Sequence, residues 1–375
     1  MKALVITNQV RRIPGGFLES VVSPLLDNGY DVTWAANFSN STFDIKTLPC
    51  SIINTKSKSN PFSIGAIKAY KAVSKFLKMN KVDLIFCSTP IGGLIGRLCG
   101  KKHKIKIVIY QAHGFLFFKG GPKLGFLYKF VEKWLAHFTD VLITINNEDF
   151  EQAKKFKLKD HSSLVFKVNG SGADYSSIAL SLSEKNLFKE SIGVKGSDYI
   201  FLSIGELNKN KNVINAVRGF NRSYLKDKAK LVVCGDGKQK KRIANYIKHN
   251  NLEKSVLLLG YRNDVKKIIS VSDCYISTSY REGLSRTVGE SLAAGLPCIV
   301  SNKRGLADWI EEGFGFLIEP NKVETISKAM NEVYNIEDIS IFKKYGSRKV
   351  EQYSSNEVSK QMREMLKTVL THFYL

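Results

Sequence analysis

Acidic side chains are scarce. The 375 residues hold 34 Asp and Glu against 57 Lys and Arg, a net charge of +23. Between positions 45 and 131 the shortage is extreme. Sixteen basic residues there, from Lys46 to Lys129, face a single acid, Asp83. Long apolar runs are also missing: none reaches the ~18–20 residues that a bilayer-spanning helix needs. Cysteine is sparse, and the six (Cys50, Cys87, Cys99, Cys234, Cys274, Cys298) include no CxxC pair. That argues against a disulfide framework or a zinc site and for reduced thiols in a cytosolic protein. The opening MKALVITN reads as a β-strand that begins at once, not as a signal peptide. What is present excludes a wholly disordered chain: 43% of residues are hydrophobic and 24% charged, ordinary proportions for a globular protein. At roughly 100–200 residues per domain, the length predicts two domains. The positive excess predicts an anionic partner: nucleic acid, an anionic membrane surface, or phosphorylated small molecules.

Within the acid-poor window, Lys68, Lys71, Lys75 and Lys78 recur at steps of 3, 4 and 3, interleaved with Ala66, Ile67, Tyr70, Val73, Phe76 and Leu77. This spacing predicts an amphipathic helix with a lysine stripe. A solvated helix face explains the stripe, and so does an anion-facing patch. Along the chain, short β-rich runs alternate with amphipathic stretches. Strands are predicted at 2–7, 31–36, 82–88, 106–111 and 140–146, with a helix over about 17–28. The pattern weakens over 171–196 and then restarts, with strands predicted at 199–207, 230–237, 255–261, 274–279 and 297–302. The tail from about 339 reads as one or two helices. Such alternation implies parallel βαβ units with right-handed crossovers. The expected fold is therefore α/β, with two Rossmann-like doubly wound domains. The first spans 1–175, a linker covers 176–196, the second domain spans 197–345, and a last helix, 346–375, is expected to pack back on the first domain.

One segment carries most of the chemistry. Arg281-Glu-Gly-Leu-Ser-Arg-Thr-Val-Gly-Glu290, followed by SLAAGLPCIVSN, leaves a strand and opens a helix. Gly283 lets backbone approach a ligand closely. The N–H groups from Leu284 through Ser285 and Arg286 to Thr287 stand at a helix start, where a phosphate is favoured. Glu290, about two turns in, can accept hydrogen bonds from hydroxyls. A capping role for Glu282 and a surface role for Glu290 are the plainer readings of each acid taken alone.

The Glu-x7-Glu turn with SLAAGLPCIVS resembles the C-terminal signature of the retaining glycosyltransferases of the GT-B fold, family four. Supporting motifs follow in the family's order: IGELNKNKN (204–212), VVCGDG (232–237), LLGYRNDV (258–265) and EEGFGFLIEP (311–320). QAHGFLFFKGG (111–121), KFVEKWLAHFTDVLITINNEDFEQAKKF (129–156) and KVNGSGAD (167–174) resemble the subset that extends bacterial capsular, O-antigen and exopolysaccharide repeat units on lipid-diphosphate carriers. The resemblance covers essentially the whole chain. It implies transfer of a hexose or N-acetylhexosamine from a nucleotide sugar, UDP-linked, with retention, and with no cofactor and no essential metal. The implied acceptor is a polyprenyl-diphosphate-linked saccharide. The implied location is the cytoplasm, on the inner face of the cell membrane.

Carried over by position, Glu282 contacts the donor sugar, Glu290 the ribose, and Lys211 the diphosphate, where it stabilises charge on the departing nucleotide. Gly15 and Gly16 let the first N-terminal loop approach that diphosphate, and His113 stands near sugar and acceptor. The family has Arg where this chain has Glu206. A carboxylate there repels a diphosphate, so Lys211, Lys209 or Arg281 must supply the charge, and Glu206 is free for the acceptor or the loop. His113 reads either as a turn histidine satisfied by backbone or as a hydrogen-bond partner of the sugar. No N-terminal carboxylate offers itself as the nucleophile of a double displacement, which suits the front-face, ion-pair route proposed for this family. Phe115, Phe117, Phe118, Lys119 and Lys123 belong to a segment that mixes large apolar residues with lysines. It reads as a core helix after a mobile loop or as an interfacial element, in which aromatic residues enter the acyl boundary and lysines meet head groups. The rivals are a GT-B nucleotide-sugar 2-epimerase and a non-enzymatic nucleic-acid-binding protein. The Glu-x7-Glu turn counts against the first, and no recognition module supports the second.

Overall fold

The computed structural model describes residues 1–11, 15–57, 63–117, 125–170 and 172–374. The chain forms two compact units, Met1–Asp174 with Tyr353–Leu375, and Tyr175–Gln352. The first holds seven strands: β1 Lys2–Gln9, β2 Asp31–Asn37, β3 Ser51–Asn54, β4 Leu84–Ser88, β5 Ile107–Ala112, β6 Val141–Thr144 and β7 Leu164–Lys167. They pair in parallel in the order β3-β2-β1-β4-β5-β6-β7. The second holds β8 Tyr199–Ile204, β9 Ala229–Cys234, β10 Val256–Gly260, β11 Cys274–Ser277, β12 Cys298–Ser301 and β13 Phe316–Ile318. Their order is β10-β9-β8-β11-β12-β13, again parallel throughout. Both sheets are doubly wound, as the alternation of strand and helix predicts. The strand order reverses between β1 and β4 in one sheet and between β8 and β11 in the other, where open α/β sheets place their ligands.

The central strands are apolar runs buried on both faces, the mark of a parallel sheet covered by helices on each side. Right-handed crossovers put the helices Ile64–Met79, Pro90–Lys102 and Gly125–Ala136 on one face of the first sheet. Side chains link them in that order: Ser74 Oγ lies 2.8 Å from His103 Nε2 just past the middle helix, and Arg97 Nη1 lies 2.9 Å from Glu132. The middle helix lies close to the sheet because small residues face it. A methyl at Gly96 would stand 2.4 Å from the Cys87 Cβ.

The opposite face carries a helical segment over 15–27. It begins two residues earlier than the periodicity predicts and contains a π turn, Leu18–Val22. Pro24 has no N–H to offer the Ser20 carbonyl, and the Ser23 N–H reaches back five residues to Leu18 instead. The helix Ser355–Tyr374 docks on this segment: Ser359 Oγ donates to the Glu19 carbonyl at 2.7 Å, and Arg363 pairs with Asp27. The helix Ser340–Glu351 stays with the second unit. Within 176–196, residues Leu182–Ser191 form a helix started by a Ser181–Glu184 capping box. No helix among the described residues is long and apolar enough to cross a membrane.

Candidate active site

Two loops meet at the reversal point of the second sheet. Past β8, Gly205 adopts φ +153° and donates its N–H to the Cys234 carbonyl at 2.9 Å. Gly235 opposite sits at φ +150°, and a Cβ there would lie 1.9 Å from the Gly205 carbonyl oxygen. Only glycine fits that crossing. The loop then turns on Asn208, whose Oδ1 accepts from the Lys211 N–H at 2.9 Å. Asn212, left-handed at φ +53°, donates from Nδ2 to the carbonyls of Thr278 at 3.2 Å and Pro320 at 2.9 Å. Asn210 Nδ2 donates to the Arg281 carbonyl at 2.9 Å, and the Tyr280 N–H donates to the Asn210 carbonyl at 2.8 Å.

This stitching brings Lys211 Nζ to 2.6 Å from Glu282 Oε1, with side chains 26% and 17% exposed. The pair is partly shielded from water, so its attraction exceeds that of a surface ion pair. The ammonium has three donors and this contact uses one.

The helix Arg286–Ala293 starts from Ser285 without a side-chain cap on its backbone. Ser285 Oγ lies 3.2 Å from Thr287 Oγ1, which in turn lies 2.8 Å from the Tyr275 hydroxyl. An N-terminus lacking that cap retains backbone donors for an anion. Glu290 stands one turn into this helix, not two as the sequence suggests, because the helix begins at Arg286 and not in the preceding turn. Glu290 Oε1 accepts from Arg286 Nε at 3.1 Å. Gly283 packs its carbonyl where a Cβ on Gly305 would come within 1.9 Å, and Arg281 and Leu284 are half-buried beside it. Glu206 and Lys209 are exposed. Lys209 borders a cavity of about 400 Å³ that Arg218, Arg242 and Tyr280 also line.

In the first unit, His113 follows β5 directly, at the carboxyl ends of the strands. Its Nε2 lies 2.7 Å from Ser88 Oγ at the end of β4. Burial lowers its pKa to about 4, so the imidazole is neutral at pH 7. Next to Ser88, Thr89 is held at φ +69°, a strained conformation for a β-branched residue. Asp149, buried, accepts from the Phe115 N–H at 3.2 Å and from Asn146 Nδ2 at 2.7 Å, and so anchors the loop that leaves His113. Sequence reading missed Ser88, Asp149, Asn210 and Asn212. Ser88 was recoverable, since it ends the strand that neighbours the one ending at His113. Gly15 and Gly16 open the helical segment 15–27, and a Cβ on Gly15 would meet nothing within 4 Å.

Residues 184–349 match the family model described as glycosyl transferases group 1, and residues 16–146 match glycosyl transferase 4-like. The chain is 32% identical over 285 residues to a putative glycosyltransferase, EpsD, of Bacillus subtilis, covering 74% of each. The chain belongs to the group 1 glycosyltransferases. This glycosyltransferase is also 30% identical, over 76% of its length and 75% of the relative's, to the Escherichia coli UDP-Gal:alpha-D-GlcNAc-diphosphoundecaprenol alpha-1,3-galactosyltransferase. Its fold matches that of Anabaena HepE in complex with UDP-glucose, at TM-score 0.75 and 17% identity over 98% of this chain and 100% of that one. The glycosyltransferase is thus an enzyme that transfers sugars, on a GT-B fold of two Rossmann-like domains.

Two of the expected membrane and acceptor residues, Phe115 and Phe117, need correction. Phe115 and Phe117 are 2% and 6% exposed, stack on each other at 5.0 Å between ring centroids, and pack on Phe156. They are core residues: Asp149 holds the loop through the Phe115 N–H, and the aromatic pair joins the buried cluster that includes Leu142 and Phe156. Phe118, Lys119 and Lys123 lie outside the described residues. Lys68, Lys71, Lys75 and Lys78 are all exposed on the helix Ile64–Met79.

Proposed function

We propose that this glycosyltransferase moves a hexose or N-acetylhexosamine from a UDP-sugar, with retention, onto a polyprenyl-diphosphate-linked saccharide. It acts in bacterial surface polysaccharide synthesis, attached peripherally to the cytoplasmic face of the membrane. The observation that carries the reading is the Lys211–Glu282 pair at the reversal point of the second sheet, beside a helix start without a side-chain cap. Lys211 is the cation for the donor diphosphate, and the backbone donors from Leu284 to Thr287 take its oxygens. The ammonium opposes the charge that grows on the nucleotide as the glycosidic bond breaks. Glu282 orients Lys211 before the donor arrives and meets the sugar hydroxyls afterwards. Glu290 takes the ribose. With Glu206 in place of arginine, the diphosphate relies on Lys211 and the helix start, and no metal or cofactor is needed. Neutral His113, held by Ser88, offers one donor or acceptor to the sugar without adding charge.

The E. coli relative, named for UDP-Gal and a diphosphoundecaprenol acceptor, supports both substrate classes. The test is transfer by purified protein from a panel of UDP-hexoses and UDP-N-acetylhexosamines to a short-chain polyprenyl-diphosphate N-acetylhexosamine, with product anomers read by NMR. A melting-temperature screen identifies the donor first, because the bound native state is stabilised by RT ln(1 + [L]/Kd). Products of inverted configuration refute retention. Failure of every nucleotide sugar to bind refutes the site.

A further inference from the structure

At the amino ends of β5 and β6, the pole of the first unit opposite His113, lies a cavity of about 470 Å³. Its floor is apolar, with Ile105, Val108 and Phe138, and its walls carry Lys101, Lys104, Lys106 and Lys159. Lys159 is neutralised by Asp140 at 2.8 Å. The other three have no carboxylate partner among the described residues. The Lys101 ammonium rests over the Phe138 ring at 4.0 Å, and that of Lys106 over the Tyr374 ring at 3.8 Å. A helix carboxyl end attracts one or two cations, and Lys101 with Lys102 already supplies them. Lys104 and Lys106 lie beyond the helix, so the positive charge exceeds what the fold uses.

The cavity opens beside a second anomaly. Phe138, part of its apolar lining, packs edge-on against Trp134 at 5.1 Å between ring centroids. Trp134 belongs to the helix Gly125–Ala136, which exposes Phe126 at 66%, Leu127 at 47%, Phe130 at 70% and Trp134 at 46%. Large apolar side chains with interspersed lysines are what an in-plane interfacial helix presents. Its twelve residues extend about 18 Å, from the His113 end of the sheet to the cavity.

We propose that this cavity binds the phosphate-bearing head group of an anionic phospholipid while the exposed face of the adjoining helix enters the acyl boundary. The proposal rests on the peripheral-membrane part of the proposed function. The occupant is a lipid, not a free anion, because the basic cavity and the apolar face are continuous through Phe138 and Trp134. Phosphate and chain are thereby met side by side. A helix lying flat in the interface also keeps the His113 end at membrane level, where a lipid-linked acceptor must be reached.

The experiment is flotation of the full-length protein with phosphatidylcholine vesicles containing 30% phosphatidylglycerol. Wild type is compared with a cavity triple variant, Lys101→Ala, Lys104→Ala and Lys106→Ala. A control variant, Lys68→Ala, Lys71→Ala and Lys75→Ala, removes the same charge from another helix, and melting temperatures verify folding. A lysine near an anionic surface contributes about fivefold in affinity. We expect the cavity variant to lose about a hundredfold and the control about tenfold or less. Trp134→Ser with Phe130→Ser should weaken binding at every salt concentration, unlike the lysine variants. Equal loss in the two triple variants means undirected charge attraction and overturns the cavity while leaving membrane attachment standing. Absence of wild-type binding overturns both. A melting-temperature rise with glycerol phosphate that depends on the three lysines, without a difference between the triple variants on vesicles, assigns the site to a free phosphate compound and overturns the lipid.

Discussion

Lys211 and Glu282 stand 71 positions apart in the chain and 2.6 Å apart in space. Each was legible as a candidate from its own motif, but their pairing was not, because it depends on Asn210, Asn212 and Thr278 stitching two loops together. Removing either partner should do more than remove one contact. Lys211→Ala should raise the transfer barrier by about 2–4 kcal/mol, the scale of a lost charge-stabilising donor. Glu282→Gln keeps the shape, drops the charge, and should cost less in donor binding than in turnover. Steady-state kinetics with the identified donor separates the two, and wild-type rates in both variants would remove them from the site. His113 makes a separate prediction. Its folded pKa of about 4 lies below the ordinary value of 6.5, so protonation disfavours the fold. Stability from this group is full above pH 6.5 and falls as the pH drops toward 4, by up to about 1.4 kcal/mol per unit. Urea unfolding at pH 7 and pH 5 should show that loss in wild type and a smaller one in His113→Gln.

At the scale of elements, the central strands were readable because parallel strands buried on both faces are continuous apolar runs. The strands that reading missed are β3, β7 and β13, all at sheet edges. Edge strands are short and half-exposed, so SIIN and LVFK carry too little pattern to distinguish them from loops. Loop aromatics misled for a related reason. FLFF reads as sticky surface, yet Phe115 and Phe117 are drawn into the core by a buried carboxylate 32 or more positions later, whereas the exposed aromatics belong to the next helix. Two glycines make opposite predictions. Gly235→Ala forces a Cβ onto a backbone oxygen in a left-handed conformation, and should destabilise by about 3 kcal/mol or more. Gly15→Ala has open space and should change stability by less than about 0.5 kcal/mol. If the donor diphosphate does approach Gly15, that variant should lose donor affinity while keeping its stability. Calorimetry of both variants, with and without donor, is the measurement.

For the whole molecule, the last helix matters most. Ser355–Tyr374 buries Val358, Met362, Met365, Leu366 and Val369 in the first unit. Five such side chains at about 1.5–3 kcal/mol each amount to roughly 10 kcal/mol, comparable to the stability of an entire domain. Ending the chain after Gln352 should therefore abolish the cooperative unfolding of the first unit, while hydrogen exchange in the second stays protected. Equal protection in both units would mean that the helix is dispensable.

That helix also sets an order of assembly. The strands of the first unit are made before the second unit, and the helix that completes them is made only after the whole of that intervening unit. At about 5–20 residues per second, the face of the 15–27 segment on which this helix docks waits roughly 10–40 s for its cover. The nascent chain thus carries an open apolar face through much of its synthesis, and its dependence on chaperones should be concentrated there.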